Sequence, residues 1–134
     1  MDDIYRVWIF SDIELNLCVR ILGYPEWYLI KIGDDGKSLE KRMIEGFFSL
    51  LEKKLIYVEN GRFLLSEQMY LLIIPLVKPD NVIEGEGSKS DIIYFRKKGK
   101  GLIGVEKMNI ERGYYRLYYL PENYNNIENM VIEK

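Results

Sequence analysis

Histidine, threonine and alanine do not occur in this sequence of 134 residues, and cysteine occurs once. Without histidine the usual general base near neutral pH is missing, and no Ser–His or Cys–His nucleophile can be assembled within the chain. Zinc would have to be held by carboxylates and a lone thiol, a set that structural zinc sites do not use. Asp34-Asp35-Gly36 lacks the spaced carboxylates of a calcium loop. No cofactor, metal or catalytic residue is therefore expected. Cys18 alone builds no disulfide framework, and the expected compartment is the cytoplasm. Long apolar runs are also missing. The longest, 71–77, contains Pro75 and falls far short of the ~20 residues of a membrane span. The opening Met1-Asp2-Asp3 carries the wrong charge for a signal peptide. The net charge of −2 and pI of about 5.3 provide no basic excess, which disfavours nucleic acid as a partner.

What is present is the balance of a folded domain: 48% apolar and 30% charged residues, in a length suited to one domain over 1–134. The wealth of Ile, Lys, Asn, Glu and Tyr reads as the codon bias of an AT-rich, bacterial genome.

The clearest local signal is Ser11-Asp12-Ile13-Glu14. Ser11 as N-cap with Glu14 three positions on forms a capping box, and Phe10 with Leu15 a hydrophobic staple. The box predicts a helix to Leu22, closed by Gly23, after a short strand over 4–10. Cys18 shares the apolar face of this helix with Ile13, Leu17 and Ile21, which makes it a small core residue. After Tyr24-Pro25, residues 27–32 read as extended and Gly33 to Gly36 as a turn. Ser38 caps a second helix over 39–54, apolar at Leu39, Met43, Phe47 and Leu51 and again at Ile44, Phe48 and Leu55. Gly46 inside it costs ~1 kcal/mol against alanine and so marks a close approach by another element.

Residues 56–65 read as a hairpin around Asn60-Gly61. Ser66 then caps a third helix over 67–77, bent or shortened by Pro75. Residues 81–90 read as a loop. Beyond it the pattern turns extended, with strands expected over 91–97, 102–107 and 114–120 and a short helix over 122–132. The fold class is α+β, with an antiparallel sheet (a C-terminal three-stranded meander plus a hairpin) packed against three main helices.

Two motifs invite chemistry. Gly99 to Gly104 matches G-x-G-x-x-G, but no helical stripe follows to aim an N-terminus at a pyrophosphate, so it reads as a hairpin turn. Arg96, Lys97, Lys98 and Lys100 form the one basic cluster and read as a solvated hairpin tip. The most unusual segment is Tyr114 to Leu120, YYRLYYL. In a strand Tyr115, Leu117 and Tyr119 face one way and Tyr114, Arg116, Tyr118 and Leu120 the other. Tyr and Arg are enriched at binding hot spots, so Tyr114, Arg116 and Tyr118 are the candidate partner-binding residues. If this strand lies at an open sheet edge it invites pairing, and a homodimer is expected.

Two stretches together carry a family resemblance: FSDIELNLCVRILGYPEWYLIKI (10–32) and FFSLLEKKLIYVENGRFLLSEQMYLLIIPLVKPDNVI (47–83). Their capped helix ending in Gly before Pro, Leu-Ile after two basic residues, Asn-Gly turn and second leucine-rich helix resemble the N-terminal half of the EspG-like chaperones of type VII (ESX) secretion. The chain is about half that family's usual length, and Lys54 stands where the family often has Gly. The resemblance implies a cytosolic protein that holds a helical secretion substrate by non-catalytic binding. The segment 39–65 also resembles the helix and wing of winged-helix DNA-binding regulators, in which Lys41, Arg42, Lys53, Lys54 and Arg62 would meet phosphates.

Overall fold

The computed structural model describes residues 6–25, 38–84, 92–108 and 113–120. Its elements run β1 (Arg6–Ser11), α1 (Asp12–Ile21), α2 (Leu39–Glu52), β2 (Ile56–Glu59), β3 (Arg62–Leu65), α3 (Glu67–Val77), β4 (Asn81–Glu84), β5 (Ile93–Lys97), β6 (Gly101–Lys107) and β7 (Tyr114–Leu120). The class is α+β. A five-stranded antiparallel sheet has the order β1-β7-β6-β5-β4, and β2 and β3 form a separate hairpin.

Each helix begins where its side-chain cap predicts. Ser11 accepts from the Glu14 amide at 3.1 Å while the Ser11 amide donates to Glu14 Oε1 at 2.9 Å, which completes the capping box. Ser38 and Ser66 accept from the amides of Lys41 and Met69. Pro75 sits within α3, and Lys78 closes that helix. α2 ends at Lys53, and Lys54 follows with a φ of 63°. That conformation suits glycine and strains a side chain with a Cβ. Lys54→Gly is therefore expected to stabilise the fold by about 0.5–1 kcal/mol, less the entropy glycine adds to the unfolded chain. Urea denaturation of the two proteins checks the sign.

The helices cover one face of the sheet. Phe10, Phe95, Ile103, Tyr115 and Leu117 from the strands join Leu15, Leu50, Met69 and Ile73 from the helices in one buried cluster. A second, smaller cluster of Tyr94, Leu102 and Leu120 lies on the opposite face. Tyr94 lies within about 3.2 Å of where a Cβ on Gly104 would stand, so this glycine makes room for an aromatic ring.

The expected elements shift in three places. Residues 81–84 are strand β4, paired with β5 from Asn81↔Arg96 to Glu84↔Ile93, where a loop was expected. Val82 and Ile83 are good strand formers, and a partner strand was invisible locally. The meander accordingly has four strands, β4 to β7. Most consequentially, β7 is not an edge, because β1 pairs along it from Arg6↔Tyr119 to Ser11↔Tyr114. The expected extended segment 27–32, the turn 33–36 and the helix 122–132 lie outside the described residues. Gly99 and Gly101, both at positive φ, belong to the β5–β6 hairpin, as the glycine pattern suggested.

Candidate protein-docking face

The strand alternation expected for β7 holds. Tyr115 and Leu117 are buried among the helices, and Arg116 and Tyr118 stand on the opposite face. There they meet Glu106 of β6. Tyr118 donates its hydroxyl to Glu106 Oε1 at 2.7 Å, and Arg116 lies 3.3 Å from both that oxygen and the Tyr118 hydroxyl. Partial burial and the neighbouring Glu106 raise the Tyr118 phenol above its ordinary value, although Arg116 opposes them. The guanidinium is held protonated by the Tyr118 hydroxyl and Glu106. Arg116 and Tyr118 thus form a closed cross-strand network rather than a pair of outstretched contacts. Tyr114 is separated from them. It sits at the end of β7 and lines a polar cleft beside α1 and α2.

That cleft, of about 300 Å³, holds the buried charges found among the described residues. Asp12 and Glu14 on α1 are both buried. Arg42 reaches Asp12 Oδ1 at 3.1 Å, and Lys53 reaches Glu14 Oε2 at 2.9 Å. Ser49 donates to the same Glu14 oxygen at 2.6 Å. Burial alone would raise the Glu14 carboxyl, but the bonds from Ser49, the Ser11 amide and Lys53 outweigh it and hold the group below its ordinary value. The same burial, with the Glu14 charge nearby, pushes the Cys18 thiol far up and leaves it unreactive. The cleft is best understood as a brace: α2 is tied to α1 by two ion pairs.

The brace decides what the outer side of α2 presents. Arg42 turns inward and Lys53, still half exposed, reaches back to Glu14, while the other side carries Phe47, Leu51, Ile44 and Phe48, which occupy adjoining positions over roughly 100° of helix. Phe47 stacks on Phe63 of the hairpin with ring centroids 4.6 Å apart. From that stack the strip continues to Val58, cross-strand partner of Phe63. Phe48 is 67% exposed, and Ile44, Val58 and Phe63 are exposed as well. A cluster of large apolar side chains left in water marks an interaction site. The helical period of α2 holds, but among the described residues the helix packs chiefly on α1 and the hairpin strand β2, and Ile44 and Phe48 are left exposed. The signal available in sequence was the run Phe47-Phe48, which places one aromatic ring on each side of the core boundary.

Among the described residues no helix is long and apolar enough to cross a membrane, and no group of three or more His, Cys, Asp or Glu side chains is placed to hold a metal ion. Comparison with family models, with curated proteins and with solved structures finds no match for this chain.

Proposed function

We propose that this chain is a non-catalytic protein-binding domain, a cytosolic chaperone or adaptor whose docking face is the strip from Ile44 and Phe48 to the hairpin. The observation that carries the reading is the exposure of Phe48 in the middle of α2, beside the Phe47–Phe63 stack. An exposed apolar strip of this kind suits the apolar stripe of an amphipathic helix. A helical type VII secretion substrate, the cargo implied by the resemblance to EspG-like chaperones, has that chemistry.

The winged-helix reading uses the same helix and hairpin but needs their cations outward. Arg42 and Lys53 are engaged with Asp12 and Glu14, and the centre of the outward side is Phe48. Phosphate contact would have to rely on Lys41, Lys54 and Arg62, interspersed with Glu40, Glu52 and Glu59, a poor counter-charge for DNA.

The test is site-specific photocrosslinking in the source cell, with the photoreactive residue at position 48, 58 or 118 and nuclease treatment before mass spectrometry. The expected result is one small helical protein joined at 48 and at 58, with the crosslink at 58 lost on Phe48→Ser. Crosslinks at 118 alone would transfer the docking face to the Glu106–Arg116–Tyr118 side. Crosslinks to nucleic acid would replace the protein-binding reading with the winged-helix one.

A further inference from the structure

The two edges of the five-stranded sheet are unlike. β4 has only four residues, follows Pro79 and ends in Glu84, the features by which natural sheets discourage edge pairing. β1 has six residues, and its stretch Val7-Trp8-Ile9-Phe10 contains no charge, proline or glycine. Val7 and Ile9 are each 49% exposed, and among the described residues β1 has a strand neighbour only in β7.

Its hydrogen bonds fix which backbone groups face outward. The Asp12 amide donates to the Gly113 carbonyl at 2.7 Å, so the even positions of β1 aim their backbone groups at β7. The Ser11 amide instead donates to Glu14 Oε1 within the capping box. By alternation, Val7 and Ile9 turn their N–H and C=O away from β7, toward the open side.

We propose that β1 pairs with β1 of a second copy, antiparallel about a two-fold axis through Trp8. Opposed residues in an antiparallel pair share a face, so Val7 must stand against an odd-numbered residue. With Trp8 on the axis, Val7 of each copy opposes Ile9 of the other. These are two hydrogen-bonded pairs, each exchanging both N–H···O bonds. The next register, with Ile9 on the axis, sets Val7 against Ser11 and needs the Ser11 amide that the capping box already uses. The two indoles then form the close, non-hydrogen-bonded cross-strand pair, an arrangement favourable for aromatic rings. They lie on the helix side of the sheet, where Trp8 and Tyr119 line an apolar cleft of about 260 Å³ with Leu71 and Leu72 of α3. The two-fold axis sets two such clefts edge to edge and closes both. A six-residue seam about 20 Å long buries less than the ~800 Å² per partner of a standard stable interface, the size range of weak and transient association.

Light scattering of the full chain tests this: at about 100 µM the mean mass should stand well above the chain mass of 15.9 kDa and climb toward twice that value as concentration rises. Val7→Lys/Ile9→Lys changes only exposed side chains and sets lysine against lysine across the seam. It should restore the monomer mass with an unchanged circular dichroism spectrum. Val7→Lys/Ile9→Glu should keep the dimer, because in this register each new lysine faces the other copy's new glutamate. A monomeric wild type overturns the proposal, as does a dimer indifferent to the double lysine variant. Loss of the dimer in the lysine–glutamate variant overturns the register and the proposal with it. Exchange protection of the Val7 and Ile9 amides that does not depend on concentration would assign the edge to another segment of this chain and reject the second copy.

Discussion

Gly46→Val is expected to destabilise the fold by about 3 kcal/mol or more, and even Gly46→Ala by roughly 1 kcal/mol. An exposed mid-helix glycine replaced by alanine gains ~1 kcal/mol of helix propensity, so the alanine variant tests the sign. At Gly46 a Cβ would stand 2.6 Å from Ile13 Cγ2 and 2.9 Å from Leu17 Cδ1. The Leu17 methyl is the end of a rotatable side chain and can turn aside. The Ile13 methyl sits on a β-branched carbon locked to one helical rotamer, so α1 itself must move. That movement also pulls on the ion pairs to Arg42 and Lys53. Overpacking of about 1–3 kcal/mol thus exceeds the propensity gain for alanine, and valine adds further methyls to the same contact. Urea denaturation of the three proteins measures both differences. An alanine variant more stable than wild type would mean that α1 and α2 approach less closely than the geometry states.

Gly46 was legible in the sequence because a glycine inside a strong helical stripe costs stability, and the close approach of α1 explains why that cost is accepted. The serine caps were legible for the same kind of reason: Ser11, Ser38 and Ser66 act within three residues of themselves, so their partners are written beside them. The place of β7 in the sheet was not. YYRLYYL states which side chains share a face, and Tyr115 and Leu117 did turn to the helices. It cannot state that β1, about a hundred residues earlier, fills its open side. The candidate binding residues were affected through the same gap. Glu106 meets Arg116 only because β6 and β7 pair in one register, so Arg116 and Tyr118 looked outstretched in sequence and are joined in space. The exposed strip on α2 was hidden in another way. Periodicity reports which residues share a side of a helix, but the width of that side covered by neighbours is a tertiary quantity. The run Phe47-Phe48 shows that the two rings cannot share a side, but that Phe47 is the one with a partner depends on Phe63 of the hairpin.

The brace between α1 and α2 should make stability depend on pH through Glu14, and Glu14→Gln should remove that dependence along with about 2 kcal/mol at neutral pH. The carboxylate is 4% exposed and receives the Ser11 amide, the Ser49 hydroxyl and the Lys53 ammonium. Hydrogen bonds to a charged group contribute about 1.5–3 kcal/mol. The lower half of that range applies because the Lys53 side chain is 46% exposed and can return to water when its partner is lost. In the unfolded chain Glu14 takes up its proton near the ordinary value of 4.5, whereas in the folded protein the carboxyl holds out to lower pH. As pH falls below about 4.5 the unfolded state therefore binds the proton first, and stability declines until the folded carboxyl is protonated too. The contribution is fully present above about pH 5 and lost below it. Denaturation of wild type and Glu14→Gln from neutral pH down to about pH 3 should show a constant gap that begins to close below about pH 5. A gap that stays constant to the acid end would mean that the Glu14 charge is not what joins α1 to α2, and the brace would then rest on Asp12 and Arg42.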